Sequence, residues 1–264
     1  MRKQMAILLF LGMAAALPFH VSADETEEKE PVRLLVAAAA SLEYSFEEEL
    51  IPAFQENYPW ITVEGTYDSS GKLETQIEEG LEADVFLSAA KAQMENLDEE
   101  GFILSDSIVE LLENEIVVIT PADSPLQIDS FEEIVEADTI ALGDPASVPA
   151  GQYAKEALEN LGVWEEAESK ASFGTNVTEV LNWVAEGSAD AGIVYATDAA
   201  VRPEEVVVET SAPEGSLKEP VIYPAAVVGA TENPKEAQSF VDFLCSEEAF
   251  SVFRDYGFTP KQEG

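Results

Sequence analysis

The sequence predicts an α/β protein made of two lobes, each with a parallel sheet between helices. Short apolar runs alternate with amphipathic segments of helical period along the chain, and this alternation occurs in two successive series. Hydrophobic residues make up 46% of the 264 residues, which excludes an intrinsically disordered chain and provides for a large core. The length suits one large unit or two lobes of roughly 100 to 150 residues each.

The first series of predicted elements has the order strand, helix, strand, helix, strand, helix. Its strands are predicted at residues 33–40, 60–67 and 83–88, and its helices at residues 44–57, 72–80 and 91–99. The first strand reads RLLVAAAA and lacks polar alternation, which is typical of a strand buried on both faces. This series therefore predicts a parallel sheet covered by helices on both sides.

The second series begins with the apolar run EIVVIT and ends in two short amphipathic helices. Its strands are predicted at residues 115–120, 139–143, 189–195 and 205–209, its helices at residues 131–136, 151–161 and 178–186, and its final helices at residues 234–244 and 247–256. Residues 220–228 form a further apolar stretch, which Pro224 interrupts. We expect the C-terminal helices to return to the first lobe, so that the chain crosses between the lobes twice and forms a hinge.

The composition is strongly acidic, with 53 Asp and Glu residues against 13 Lys and Arg residues and a formal net charge of −40. Nucleic-acid binding needs basic residues that replace phosphate counterions, so this charge excludes a nucleic-acid partner and disfavours anionic membrane surfaces. The acidic residues lie on many predicted helices rather than in one tail. This distribution is typical of a whole surface adapted to a saline or alkaline habitat.

Residues 1–23 have the pattern of a cleavable signal peptide. Two basic residues precede an apolar stretch at residues 6–17 that is too short to span a bilayer, and small residues at 21–23 suit cleavage. The exported chain then begins with a disordered acidic segment at residues 24–32. No Cys stands directly after the apolar stretch, where a lipid anchor would be attached, and the chain has one Cys in all. We therefore expect a periplasmic protein without a lipid anchor or disulfides. The one Cys, Cys245, follows an apolar helical pattern, and we expect it in the core.

Histidine-based catalysis is excluded once the leader is removed. The sole histidine is His20, so the exported chain has no Ser-His-Asp or Cys-His arrangement and no His-ligated zinc site. Ser70-Gly71-Lys72 resembles the end of a P-loop, but Leu73 stands where that motif requires Ser or Thr for magnesium. The acidic runs lack the spacing of a calcium loop. We therefore predict a protein that is not an enzyme.

Four of the predicted strand-to-helix junctions carry small neutral residues despite the acidic surroundings. They are Ala40-Ser41-Leu42, Ser69-Ser70-Gly71, Pro149-Ala150-Gly151 and Thr175-Asn176-Val177-Thr178. Such junctions gather at the carboxyl ends of parallel strands, where each helix presents unpaired backbone N–H groups and the positive end of its dipole. One junction of this kind is an ordinary helix cap. Four of them, two in each lobe, predict a pocket for a small anion.

The sequence resembles the ModA family, the periplasmic molybdate-binding proteins of ABC importers. The resemblance extends from Arg33 to Pro260, and its segments are AAAASL (37–42), SSGKLETQIEEG (69–80), ADVFLSA (83–89), GDPASVPAGQYAKEALENLG (143–162), AGIVYATDA (191–199), YPAAVV (223–228) and YGF (256–258). The fourth segment and the GIVY sequence are specific, whereas AAAS and SSG alone are weak signals.

The resemblance implies a type II periplasmic-binding-protein fold, in which two α/β lobes close over a tetrahedral oxyanion. We expect lobe one to comprise residues 33–113 and 224–264, and lobe two residues 114–223. The positions that correspond to the family's ligand-binding residues are Ser41, Ser70, Ala150, Val177 and Tyr195. The serine hydroxyls and nearby N–H groups would donate from lobe one, and the N–H groups of Ala150 and Val177 with the Tyr195 hydroxyl from lobe two. The metal is then held through its oxygen atoms, without direct ligation, and no cofactor is implied.

The function that the resemblance implies is capture of molybdate or tungstate by a monomeric protein and its delivery to the permease of an ABC importer with its ATPase. A pocket of donors alone fits a fully deprotonated dianion, which offers only acceptors. Two alternatives stay open: a binding protein for another anion, such as sulfate, tungstate alone or a small organic anion, and an enzyme with Ser41 or Ser70 as nucleophile. Asp68 departs from the family pattern, because it places a carboxylate where a small neutral residue is expected. We expect its side chain to point outward or to cap the next turn.

Overall fold

The computed structural model describes residues 29–261, and those from Pro31 onward belong to one compact unit. The predicted signal peptide at residues 1–23 and most of the predicted acidic segment at residues 24–32 lie outside the described residues. None of the helices within this range has the length and apolar character that crossing a bilayer requires.

Two β-sheets organise the described part of the chain. The strands are β1 (Val32–Ala39), β2 (Ile61–Asp68), β3 (Val85–Leu87), β4 (Val109–Asn114), β5 (Ile116–Pro121), β6 (Ile140–Gly143), β7 (Ala171–Gly174), β8 (Ala191–Tyr195), β9 (Val206–Ser211), β10 (Val221–Val227) and β11 (Thr259–Pro260). The first sheet has the order β11-β4-β10-β3-β1-β2, and the second has the order β7-β6-β8-β5-β9. Each sheet with its helices forms one α/β lobe, which confirms the predicted fold class.

Helices cover both sheets. The α-helices are α1 (Glu43–Ser45), α2 (Ile51–Asn57), α3 (Ser70–Glu78), α4 (Lys91–Glu99), α5 (Pro149–Asn160), α6 (Trp164–Lys170), α7 (Val177–Ala185), α8 (Ala196–Ala200), α9 (Pro234–Leu244) and α10 (Glu247–Asp255). The 3₁₀-helices are Ala40–Leu42, Ser105–Ser107 and Phe131–Glu136, and Phe46–Leu50 is a π-helix.

The helix predicted at residues 44–57 is one continuous helical stretch that changes its hydrogen-bonding pattern along its length. It begins as the 3₁₀-helix Ala40–Leu42, passes through the π-helix Phe46–Leu50 and ends as α2. Pro52 is the second residue of α2 and lacks the N–H group that would bond four residues back. A π turn just before this proline shifts the hydrogen-bond ladder at that point.

The expectation of purely parallel sheets is wrong, because both sheets are mixed. β1 pairs with β2 and β3 in parallel, but β10 runs antiparallel to β3 and β4. In the second sheet β5 runs antiparallel to both β8 and β9. The physical reason is that the chain crosses between the lobes twice. It leaves the first sheet along β4 and returns along β10, and it enters the second sheet along β5 and leaves along β9, so the two strands of each pair run in opposite directions.

The two crossings between the sheets lie side by side. Asn114, the last residue of β4, pairs with Val221, the first residue of β10. On the other side of the crossing, Val117 of β5 pairs with Ser211, the last residue of β9. The lobe boundary predicted between residues 223 and 224 falls inside β10, all of which lies in the first sheet. The division at residues 113 and 114 falls at the end of β4 and stays a prediction.

The C-terminal helices pack on the first lobe through an aromatic cluster. Phe240 of α9 contacts the rings of Phe46 and Phe54, with centroid distances of 6.1 Å and 4.9 Å, and Phe253 of α10 lies 6.3 Å from Phe46. All four rings are fully buried. The expectation for Cys245 is wrong, since it is exposed at the C-terminal cap of α9, one residue beyond the last buried turn.

Candidate functional site

A small cavity, with a volume of only about 10 Å³, lies between the two lobes. Its wall is formed by Ala39, Ala40, Ser41, Asp68, Ser69, Ser70 and Ala89 of the first lobe and by Val148, Pro149, Ala150, Val177 and Tyr195 of the second. The five residues predicted from the sequence, Ser41, Ser70, Ala150, Val177 and Tyr195, all line this cavity. Their role toward a ligand stays a prediction, but the fold brings them together.

Four helix starts point at the cavity. Ser41 is the second residue of the 3₁₀-helix Ala40–Leu42, and Ser70 is the first residue of α3. Ala150 and Val177 occupy the second position of α5 and the first position of α7. Backbone N–H groups in a first helical turn have no acceptor within the helix, and the helix dipole adds positive potential there. The four junctions therefore converge on one place with unpaired donors.

The start of α5 is shaped to expose backbone N–H groups. Pro149 is its first residue and has no N–H group, so the donors begin at Ala150. The next residue, Gly151, packs so closely on Gly143 of β6 that a Cβ atom at Gly151 would lie 2.1 Å from the Gly143 carbonyl oxygen. Only glycine allows this approach of helix and strand, and the approach fixes the direction of the Ala150 N–H group.

The start of α7 is held by an asparagine cap. The Asn176 side-chain oxygen accepts the Glu179 N–H group at 2.9 Å, which satisfies the third N–H of the helix. The Val177 N–H group at the first position takes no part in this cap, and Val177 lines the cavity. The side chain of Val177 is buried, so its backbone is what the position offers to a ligand.

Ser70 is arranged to donate a hydrogen bond. Its Oγ atom accepts the Ala89 N–H group at 2.9 Å, and its side chain is fully buried. Because this oxygen accepts from Ala89 and Ser70 also lines the cavity, the hydroxyl hydrogen is free to donate to another partner.

Tyr195 reaches across the interlobe space. Its hydroxyl donates to the Ala89 carbonyl of the first lobe at 3.3 Å. Burial holds the pKa of Tyr195 well above its usual range, so the hydroxyl keeps its proton and remains a donor. At the same turn, Asp198 accepts the Tyr195 N–H group at 3.2 Å, and burial raises the pKa of Asp198 from 3.8 to about 7.

Asp68 is engaged in local interactions at the edge of the cavity. Its carboxylate accepts the Ser69 N–H group at 2.8 Å and forms an ion pair with Lys72 at 3.1 Å. The amide of Asn176, from the second lobe, donates to it at 3.5 Å. The carboxylate therefore bonds to the turn before α3 while it lines the cavity, and its charge is partly balanced by Lys72.

Ser69 lines the cavity but is not among the ligand-binding residues predicted from the sequence. Its hydroxyl is buried and has no hydrogen-bond partner among the described residues. Ser69 precedes α3 at the capping position, but the Lys72 N–H group bonds to the Ser69 backbone carbonyl instead of the hydroxyl. The SSG pattern indicates a small polar junction. Only the three-dimensional structure shows that the Ser69 hydroxyl does not cap the helix and has no partner among the described residues.

The described residues that line the cavity include no positively charged hydrogen-bond donor. Asp68 is the one charged residue among those that line the cavity, and no Lys or Arg is among them. Within residues 29–261 there is also no group of three or more His, Cys, Asp or Glu side chains placed to hold a metal ion. What the wall offers is a set of neutral N–H and O–H donors, which is chemistry suited to an anion rather than to a cation.

Comparison with known proteins agrees with this architecture. Residues 34–259 match the family described as bacterial extracellular solute-binding protein. The chain is 38% identical over 254 residues to YvgL of Bacillus subtilis, named as a candidate ABC transporter substrate-binding lipoprotein, with 96% of this chain and 95% of that protein covered. It is 36% identical over 259 residues to the molybdate-binding protein ModA of Escherichia coli, with 96% and 97% covered.

A solved structure shows the same fold. The periplasmic molybdate-binding protein of Azotobacter vinelandii matches this chain with a TM-score of 0.76, covering 87% of this chain and 100% of that one. Its sequence identity is 22%, so this likeness concerns the arrangement of the two lobes and not the ligand.

Proposed function

The chain belongs to the bacterial extracellular solute-binding proteins and, within them, to the ModA family, and on this premise we propose that it captures molybdate or tungstate between its lobes. The ligand would be delivered to the permease and ATPase of an ABC importer. Ser41, Ser70, Ala150, Val177 and Tyr195 are the proposed ligand-binding residues. The protein would act outside the cytoplasm as a monomer.

The observation that carries this proposal is the interlobe cavity with neutral donors from both lobes. A fully deprotonated tetrahedral dianion has acceptors on every side, so a wall of donors satisfies it without a counter-charge. Hydrogen bonds to a charged group contribute about 1.5 to 3 kcal/mol each. Several such bonds from rigid helix starts would offset the desolvation of the dianion.

Closure of the lobes is the proposed mechanism of capture. The lobes contribute separate donors, so only the closed arrangement surrounds the anion, and binding would shift the population toward it. The two adjacent crossings, β4 to β5 and β9 to β10, are the proposed hinge. The closed form is what a permease would recognise.

Sulfate is the second candidate ligand. It also presents four acceptor oxygens without a proton, so the same donors would suit it, and cavity size is what would separate it from the larger molybdate. Catalysis by Ser41 or Ser70 has less support. Their described partners are the Tyr223 hydroxyl and the Ala89 N–H group, and neither is a general base for a serine nucleophile.

A titration of the purified protein tests the proposed function. Molybdate, tungstate, sulfate and phosphate are added separately, and unfolding temperature and binding heat are recorded for each. We expect molybdate and tungstate to raise the unfolding temperature most, at the lowest concentrations. A stronger response to sulfate would reassign the ligand, and no response to any oxyanion would exclude oxyanion capture.

A further inference from the structure

We infer that Asp68 and Asn176 form a latch between the two lobes, which holds the closed arrangement and slows the release of the bound anion. This inference rests on the proposed function and deepens it, because it names a contact that governs release from the same site. The latch consists of one side chain from each lobe. It lies at the edge of the cavity, close in sequence to the proposed ligand-binding residues Ser70 and Val177.

The orientation of the Asn176 side chain is set by the backbone of α7. Its Oδ1 atom accepts the Glu179 N–H group at 2.9 Å, and a backbone N–H group can only donate. The amide nitrogen, Nδ2, therefore lies on the other side of the amide, where Asp68 Oδ1 is 3.5 Å away. One side chain thus caps a helix of the second lobe and donates to a carboxylate of the first.

Asp68 is held in place to receive this donor. Its carboxylate accepts the Ser69 N–H group at 2.8 Å and pairs with the Lys72 ammonium group at 3.1 Å, both within the first lobe. An ionised carboxylate only accepts hydrogen bonds, so the direction of the contact with Asn176 is also fixed. The side chain of Asp68 is 27% exposed, so the contact is partly shielded from water.

The turn that carries Asp68 makes a second contact with the opposite lobe. The Gly71 N–H group donates to the Ser147 carbonyl oxygen at 3.0 Å, so the turn at residues 68–71 meets the second lobe at both of its ends. Ser147 and Asn176 each directly precede a residue that lines the cavity. Movement of the second lobe that brings these wall residues to a ligand therefore also forms the latch, and opening breaks it.

The latch also accounts for a carboxylate in the wall of an anion pocket. An unpaired negative charge at this position would repel a bound dianion. Asp68 instead accepts from three donors, and one of them, the Asn176 amide, comes from the other lobe. The charge is therefore balanced best when the lobes are together, and separating them breaks a charge-assisted hydrogen bond. The effect of the latch should accordingly appear in the dissociation rate.

The test exchanges the two side chains in the full-length protein. Asn176→Asp keeps a capping oxygen for α7, because Asp and Asn are equally good helix caps, but it places a second carboxylate opposite Asp68. Asp68→Asn removes the charge from the first lobe. The double variant restores a pair of amide and carboxylate with the roles reversed, and it has the same net charge as the unmodified protein. The molybdate Kd is measured by titration calorimetry, and the dissociation rate by stopped-flow fluorescence, for all four proteins.

The expected result is that the second substitution rescues the first. Asn176→Asp alone raises the Kd and the dissociation rate about tenfold or more, since the two carboxylates repel each other when the lobes close. Adding Asp68→Asn returns both values to within about threefold of the unmodified protein. The repulsion between each carboxylate and the anion is the same in both backgrounds, so it cancels when the two effects of Asp68→Asn are compared. If these two effects on the Kd differ by less than about threefold, the inference is overturned.

Asn176→Ser gives a second measurement without any change of charge. Serine caps a helix as well as asparagine does, but its shorter side chain lacks the amide that faces Asp68. Molybdate should dissociate about threefold faster or more, at an unchanged association rate. Ser246→Asn, which exchanges the same two residue types at the cap of α10, is the control. This variant also carries the test if Asn176→Asp does not fold by circular dichroism, and an unchanged dissociation rate in Asn176→Ser overturns the inference.

Molybdate binding by the unmodified protein is a separate result. If that protein binds molybdate and the latch variants behave as it does, the inference is wrong and the proposed function stands. If the unmodified protein binds no oxyanion, the proposed function is excluded, and the inference with it.

Discussion

The Gly71 N–H group donates to the Ser147 carbonyl oxygen at 3.0 Å, a backbone hydrogen bond between the two lobes at the edge of the cavity. A Cβ atom at Gly71 would lie 2.6 Å from that oxygen. The start of α3 in one lobe and the loop before α5 in the other therefore approach as closely as a glycine allows. If the lobes close over the ligand as proposed, this contact is part of the closed arrangement.

Gly71→Ala is expected to weaken molybdate binding by about tenfold or more. The added methyl group keeps the lobes apart, while the ligand-free protein keeps or gains stability because alanine favours the helix by about 1 kcal/mol. Calorimetric titration and small-angle scattering with saturating molybdate measure both effects. Gln76→Ala, an exposed position further along α3, is the matched control. Unchanged affinity would show that the closed arrangement does not need this contact.

Ser70→Ala or Ser41→Ala is expected to reduce molybdate affinity by about 1 to 3 kcal/mol, the cost of leaving a charged acceptor unsatisfied. Calorimetric titration with molybdate at several temperatures measures the affinity of each variant. Ser169→Ala, an exposed serine of α6, is the control for loss of a hydroxyl. Unaltered affinity in both site variants would remove these serines from the binding set.

Ser69→Ala is expected to leave the ligand-free protein at least as stable as before. The Ser69 hydroxyl is buried without a partner in the described structure, and removing an unsatisfied polar group relieves about 1 to 3 kcal/mol of desolvation cost. Urea unfolding without ligand measures this. Urea unfolding with molybdate present shows whether the hydroxyl donates to the anion. If it does, molybdate raises the free energy of unfolding less in the variant than in the unmodified protein. Clear destabilisation without ligand would mean that the hydroxyl has a partner.

Asp198→Asn is expected to change how stability depends on pH. Burial raises the folded-state pKa of Asp198 from 3.8 to about 7, so the folded protein binds this proton more tightly than the unfolded chain. The stabilisation that this proton gives the folded state is complete below about pH 4 and decreases as the pH rises toward 7, with a slope of up to about 1.4 kcal/mol per pH unit. Above about pH 7 it changes no further. Asparagine carries no such proton and can still accept the Tyr195 N–H group. The difference in unfolding free energy should therefore shift in favour of Asp198→Asn as pH rises, and a pH-independent difference would contradict the assignment.

The association rate for molybdate is expected to rise when inert salt is added. The chain carries a formal net charge of −40, which repels a dianion at long range, and salt screens that repulsion. Stopped-flow fluorescence at several salt concentrations measures the rate. A rate that falls with salt would indicate an attractive local potential at the cavity mouth.

Local sequence patterns predicted many of the elements. The helices Lys91–Glu99 and Pro234–Leu244 have the predicted bounds, and the α/β fold class and the ModA family are confirmed. Apolar periodicity identifies such elements because each buries one face over several turns. Segments without a clear period were missed, namely β4, β7, β11, α6 and α8.

The missed elements depend on their neighbours. β4 reads VELLEN, with acids at Glu110 and Glu113 that break the apolar run, and it becomes a strand because β10 and β11 pair with it on both sides. β7 has four residues and a single described partner, β6. The antiparallel direction of β10 likewise follows from the return of the chain to the first sheet, which no local pattern encodes.

The sequence by itself determined the acidic composition, the lack of histidine after residue 20, the two α/β series and the four neutral helix starts, because composition, periodicity and capping depend on residues that are close along the chain. Only the tertiary structure decided that these starts surround one cavity, that Gly71 meets Ser147, that the Ser69 hydroxyl is unpartnered and that Ser41 bonds to Tyr223, 182 residues away. Whether a buried polar atom has a partner depends on which donors and acceptors lie next to it in space. In this protein those partners come from distant segments that folding brings together.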